Sequence, residues 1–209
     1  EHPSILATIG YDYVNYFSWL QKNRLATQTI KIIENETTAS AYITTDRAKN
    51  QITSFNPGSM NFPSSFNLRM VDPLNSILII SAGNITDMRE YPAACKTNKI
   101  DYIFDPGQSI PMWNNEELMK AIDGAKLLIA NDYEMSLIIR KTGLSTIELL
   151  KLSRMLITTK GENGSVITTP AGEEEIPAIA PNLVADPTGA GDAYRSGIIK
   201  GLARGLDIS

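Results

Sequence analysis

The chain has one cysteine, Cys95, and one histidine, His2, in 209 residues. A lone cysteine excludes an internal disulfide and is neutral on the compartment. A lone histidine at the very start argues against a Ser-His-Asp triad and against a histidine-rich metal site. No apolar run approaches the roughly 18 residues that a membrane-spanning helix requires. Basic charge is not in excess either. The net charge of −4 disfavours a nucleic-acid partner, which would call for a basic face. The opening Glu-His-Pro-Ser is no signal peptide. The cytoplasm is therefore the expected location, and the Asn-x-Ser/Thr triplets at Asn35, Asn84 and Asn163 are read as chance matches. Two common nucleotide-binding patterns are also missing. There is no Gly-x-x-x-x-Gly-Lys-[Ser/Thr], and the Gly-x-Gly at 189–191 has Tyr194 where a third glycine would fall. A P-loop enzyme and a dinucleotide oxidoreductase are both disfavoured.

What is present describes one sizeable α/β domain. Short apolar runs at 76–81, 101–104, 126–130 and 154–158 read as buried strands recurring roughly every 25 residues. Helical patterns lie at about 87–97, 115–123, 133–141, 145–152 and 191–204. Ser145, with Glu148 three residues on, forms a capping box. Alternating β and α segments imply a mainly parallel sheet covered by helices. The first half differs. A strand is expected at 4–9, a helix at 12–24, and consecutive strands at 29–33, 39–45 and 51–55, separated by turns at 34–36 and 46–50. The three strands read as a meander or as an edge extension of the sheet. Glu173–Glu175 reads as a solvated turn between two strands.

The most informative segment is Asp186-Pro-Thr-Gly-Ala-Gly-Asp192, which runs directly into an amphipathic helix. Glycine permits unusual dihedrals and leaves no side chain in the way, so the N–H groups of Gly189, Ala190 and Gly191 can point in one direction. The first turn of a helix adds unpaired donors and a partial positive charge. Together these suit a multiply charged anion such as phosphate. Asp192 beside such a cradle suggests a group that takes a hydroxyl proton during phosphoryl transfer.

This segment, continued by Ala193-Tyr194-Arg195-Ser196-Gly197, resembles the signature of the ribokinase (pfkB-type) family of sugar and nucleoside kinases. Within that family it is most similar to the bacterial adenosine kinases. The resemblance implies a ribokinase-like α/β fold with a small β lid, and residues 29–60 would be the lid-linked or edge segment of a single domain. It implies Asp192 as catalytic base, Gly189, Ala190 and Gly191 as anion hole, and Thr188 at the ATP site. It also implies ATP as donor, magnesium as cofactor, a nucleoside or sugar as acceptor, and dimerisation through lid strands. Adenosine is the first expectation for the acceptor, and a ribose- or fructose-type sugar is the alternative. From another class, a nucleotide-binding module without catalysis stays open, and an ATP-turnover assay separates it.

Three further segments follow predicted strand ends, where ligands bind in open α/β sheets. Asn131-Asp-Tyr-Glu134 places an amide and a carboxylate on one side of a starting helix. That pair suits either a hydrated magnesium ion or plain N-capping. The resemblance favours magnesium and phosphate, although Asp132 stands where many members carry glutamate. Thr159-Lys-Gly-Glu-Asn-Gly164 can be a hairpin turn. The resemblance assigns Thr159, Gly161 and Gly164 to the ATP site, with Lys160 as a lesser phosphate contact. Asp105-Pro-Gly-Gln108 reads as a turn, with Asp105 a secondary site candidate. Earlier, Phe55-Asn-Pro-Gly-Ser-Met60 resembles a stretch of adenosine kinases. Phe55 could stack on a purine or be buried in the sheet, and Pro57-Gly58 marks a turn.

Against the family, an N-terminal segment with Gly-Gly-x-x-x-Asn and a sugar-gripping aspartate is not found, and members continue beyond Ser209. The expectation is that these 209 residues alone would be inactive and poorly soluble, since missing βα units would leave apolar sheet uncovered.

Overall fold

The computed structural model describes residues 3–47, 51–180, 188–206 and 208. The chain divides into two compact units, one of residues 1–67 and 83–87, the other of residues 68–82 and 88–209.

The first unit contains β1 (Ala7–Gly10), α1 (Val14–Lys22), β2 (Ile30–Ile33), β3 (Ser40–Thr45) and β4 (Gln51–Asn56). Its strands form two separate two-stranded sheets rather than a meander. β2 pairs in parallel with β1, and β3 pairs antiparallel with β4. Gly10 explains the departure. The chain leaving β2 crosses directly over it, so a Cβ there would lie 2.3 Å from Glu36 O and from Thr38 N. Tyr11 N donates to Glu36 O at 2.9 Å, and Thr38 N and Oγ1 both donate to Asp12 Oδ1, at 2.9 and 2.6 Å. These bonds hold residues 36–38 against the end of β1, and β2 cannot turn straight back on itself. The Pro57-Gly58 turn forms as expected, with Gly58 at φ 44°. Part of the expected 46–50 turn, residues 48–50, lies outside the described residues.

The second unit is built on β5 (Ile77–Ser81), most of α2 (Ile85–Asn98), β6 (Asp101–Asp105), α3 (Asn115–Ile122), β7 (Leu127–Asn131), α4 (Asp132–Thr142), α5 (Thr146–Leu152), β8 (Leu156–Thr159), β9 (Ser165–Thr169), β10 (Gly172–Ile176) and α6 (Ala190–Ala203). The order across its sheet is β10-β9-β8-β7-β6-β5. The run from β5 to β8 is parallel, and β9 and β10 close the edge as antiparallel strands. The central strands are apolar on both faces because helices cover both. On one face Ile103, Leu127, Ile129, Ile157 and Ile167 form a buried cluster, against which Tyr194, Ile198, Ile199 and Leu202 of α6 pack. Each such side chain, if fully buried, is worth about 1.5–3 kcal/mol. On the other strand positions Tyr102, Phe104 and Leu128 are also buried, and Phe104 meets Trp113 edge to face at 5.6 Å between ring centres.

Local signals in the sequence account for the helix boundaries. Ser145 Oγ accepts from Glu148 N, and Glu148 Oε2 accepts from Ser145 N at 2.8 Å, so the expected capping box is formed. Gly143 ends α4 in the left-handed conformation, φ 71°, which glycine adopts without steric cost. One reading is corrected. Glu173–Glu175 is not a turn but the body of β10, and the reversal falls at residues 170–171. A strand at the sheet edge carries charge readily, because exposed carboxylates discourage pairing with another chain.

Candidate active site

The parallel strands of the second unit end side by side. β6 ends at Asp105, β7 at Asn131 and β8 at Thr159, with Asn131 in register with Thr159. α6 starts after Gly189, whose φ of 82° lies in the left-handed region. The first bond within that helix runs from Ala193 N to Gly189 O at 2.9 Å. The N–H groups of Gly189, Ala190, Gly191 and Asp192 therefore have no acceptor inside the helix. These four residues are exposed, as is Thr188, and the Asp192 side chain is 86% exposed. The helix itself is anchored behind them by its apolar face and by a 2.8 Å hydrogen bond between Tyr194 Oη and Ser165 Oγ. Asp186 and Pro187, which open the motif, lie outside the described residues.

Arg195, one helical turn beyond Asp192, links the helix start to the sheet. Its Nε forms an ion pair with Oδ2 of Asp105, and its Nη1 donates to Asp192 Oδ1 at 3.4 Å. Asp105 is buried, 2% exposed. Burial raises the pKa of its carboxyl; Arg195 opposes this, while the charges of Glu134 and Asp192 add to it. Residue 107 is the meeting point of two carboxylates. A Cβ on Gly107 would stand 3.8 Å from Asp105 Oδ1 and 4.0 Å from Glu134 Oε1. In the sequence alone Asp105 reads as a secondary candidate and Arg195 carries no assigned role. The available signals were an aspartate at a strand end and an arginine three residues after the motif aspartate.

Asn131 and Glu134 cap α4. Asn131 Oδ1 accepts from Glu134 N at 2.8 Å, and Glu134 Oε2 accepts from Asn131 N at 2.9 Å. The N-capping alternative is thus realised, and it engages one oxygen of each side chain. Glu134 Oε1 remains on the Asp105 side. Among the described residues no group of three or more His, Cys, Asp or Glu could hold a metal ion on its own. The donors fit a hydrated magnesium ion, which keeps several waters and is bound through one or two carboxylates and substrate phosphates.

The turn after β8 is a hairpin. Lys160 N donates to Gly164 O at 2.7 Å, and β9 follows at once. Gly164 is required for packing: a Cβ there would lie 2.0 Å from Ile176 O. A Cβ on Gly161 would meet nothing within 4 Å, so the tip of this turn is open. Thr159 is half-buried and Lys160 exposed. Phe55, in the first unit, is 52% exposed on β4 opposite Ala41, so it is not a core residue.

An open, mostly parallel sheet with an aspartate at a glycine-led helix start is the ribokinase-like arrangement, a phosphotransferase fold that acts on alcohol groups. The chain belongs to the pfkB family of carbohydrate kinases, whose pattern matches residues 4–209. It is 32% identical to a nucleoside kinase of Methanocaldococcus jannaschii, over 99% of this chain and 68% of that protein. It is similar to the structure of a Burkholderia thailandensis nucleoside kinase in complex with inosine, with TM-score 0.91 and 33% identity over 98% of this chain and 67% of that one. The same enzyme in complex with ADP-inosine matches at TM-score 0.87 and 33% identity, over 95% of this chain and 62% of that one. The chain thus spans about two thirds of the length of these relatives. No helix among the described residues is long and apolar enough to cross a membrane.

Proposed function

We propose that the protein transfers the γ-phosphate of ATP to the 5′-hydroxyl of a purine nucleoside, with adenosine as the first candidate. The observation that carries this is the exposed carboxylate of Asp192 beside first-turn N–H groups that lack helical acceptors. Phosphoryl transfer asks little covalent chemistry of a protein. It requires the acceptor hydroxyl in line with the γ-phosphorus and preorganised donors for the transferring oxygens. Gly189, Ala190 and Gly191 supply the donors. Asp192 accepts the hydroxyl proton, and it need not be a strong base, because in a loose transition state the proton leaves late. Glu134, with Asn131, would hold magnesium, which when bound neutralises phosphate charge. Thr188 and the open turn Thr159–Gly164 provide hydroxyl and backbone groups for the nucleotide. Lys160 adds a charge there. On the first unit, Phe55 is an exposed aromatic residue of the kind that stacks on a base.

The relatives named for nucleosides, and the inosine and ADP-inosine complexes of one of them, favour a nucleoside over a simple sugar. The exposed residues of the β3–β4 hairpin, Tyr42, Ile43 and Ile52, agree with the homodimer that the family resemblance implies. The test is ATP consumption with adenosine, inosine, ribose and fructose side by side, run on a chain spanning the relatives' full length, because these 209 residues alone are expected to be inactive. Turnover is expected with the nucleosides and highest with adenosine. Turnover of ribose or fructose alone would move the assignment to a sugar kinase, and tight ATP binding without turnover of any acceptor would support the non-catalytic reading.

A further inference from the structure

The buried carboxylate of Asp105 calls for an explanation that stability does not supply. An ionised group removed from water is costly unless paired, and well-packed apolar residues often replace a buried ion pair without loss. Here the pair is also incomplete. Asp105 Oδ2 meets Arg195 Nε, while Oδ1 receives no hydrogen bond from the described residues. Buried acceptors left in this way are rare, and each calls for a specific explanation.

The geometry points to Asp105 and Arg195 as a single positioning unit for Asp192. Arg195 has the reach and freedom to point its guanidinium elsewhere. Asp105, at the rigid end of β6, holds Nε and so aims Nη1 at Asp192 Oδ1. The arrangement fixes the carboxylate on the helix start and keeps a delocalised positive charge beside the loop where phosphoryl oxygens would collect. Gly191 makes room for it, since the position of a Cβ there lies 2.7 Å from Arg195 Nη1. Neither residue needs to touch the reacting atoms. This inference rests on the reading of Asp192 as the base.

The experiment compares Asp105→Asn, Arg195→Ala, the double variant and Asp192→Asn by steady-state kinetics with ATP and a purine nucleoside. Asp105→Asn and Arg195→Ala should each lower kcat by about 10²-fold, the scale of a misplaced catalytic group. KM for both substrates should stay within about threefold, because ground-state binding is not what they serve. The double variant should be no worse than the poorer single one, since the two residues act through one path. Guanidinium chloride at millimolar concentration should restore part of the kcat of Arg195→Ala and none of that of Asp192→Asn. A role confined to tying α6 to the sheet would not be rescued in this way. Wild-type kcat in both single variants, losses that multiply in the double variant, or absence of guanidinium rescue would each overturn the inference. If Asp105→Asn does not fold, the rescue of Arg195→Ala decides alone. Near-normal turnover of Asp192→Asn would instead remove the assignment of the base, whereas an inactive Asp192→Asn beside fully active Asp105→Asn and Arg195→Ala would leave that assignment standing and sink only the positioning unit.

Discussion

Gly191 and Arg195 compete for the same space: a methyl group on residue 191 would lie 2.7 Å from the guanidinium Nη1. An exposed arginine tip would simply move aside. This one is held by the buried carboxylate of Asp105, so the strain falls on the aim of the guanidinium. Gly191 lies in helical conformation, where alanine is favoured over glycine by about 0.5–1 kcal/mol. Gly191→Ala should therefore fold with its melting temperature nearly unchanged while kcat falls. Thermal unfolding and steady-state kinetics on one preparation check both halves.

Asp192→Asn removes the proton acceptor and leaves the helix start intact. General-base groups contribute roughly 10²–10⁴-fold, so turnover should drop by at least the lower figure. The side chain is 86% exposed, and stability should not change. ATP affinity, measured by calorimetry, should be close to that of the wild type. A variant with ordinary turnover refutes the role given to Asp192.

At Glu134 capping and cofactor binding can be separated. Glu134→Gln keeps an oxygen that can accept from Asn131 N, so the capping box survives and stability should hold. It loses the charge that would favour magnesium, and the magnesium concentration giving half-maximal rate should rise. Asn131→Ala breaks the cap instead, at a cost of about 1 kcal/mol. Denaturant unfolding of both variants, with a magnesium titration of the rate, distinguishes them.

The first unit carries a pH signature at Asp12. Hydrogen bonds from the Thr38 hydroxyl and then the Thr38 N–H hold its carboxyl below the ordinary value of 3.8. A carboxyl with a lowered folded-state pKa stabilises the protein above its unfolded value, and the contribution fades as pH falls through the folded value. The stability gap between wild type and Asp12→Asn should be present at neutral pH and should close below pH 3.8. Urea midpoints across that range give the answer, and a gap independent of pH would contradict it.

Cys95 is fully buried, and burial pushes its thiol up to about 12. The thiolate is the reactive form. Maleimide should leave the native protein unmodified at mildly alkaline pH and label it rapidly in urea. Labelling can then serve as a probe of opening around α2.

Much of the second unit was legible because its signals are local or strongly patterned. Tyr102–Phe104 and Leu127–Ala130 are unbroken apolar runs, as expected of parallel strands covered on both faces. The Ser145–Glu148 box marks a helix start within four residues. Glu173–Glu175 misled for the opposite reason. An exposed edge strand can be as charged as a turn, and only pairing with β9 distinguishes them. The parallel pairing of β2 with β1 was equally hidden, since it depends on residues 36–38 lying over Gly10 rather than on composition.

The same division runs through the site. A glycine-led turn, a helix and an aspartate at their junction follow from residues 188–204 alone, because dihedral freedom, unpaired first-turn N–H groups and helical period are properties of neighbouring residues. That Asp105 grips Arg195, and that Arg195 in turn reaches Asp192, arises only when α6 packs on the sheet and sets its first turn against the end of β6. An ion pair between residues so distant in the chain depends on where the packed core places them, and no local preference of either residue encodes that.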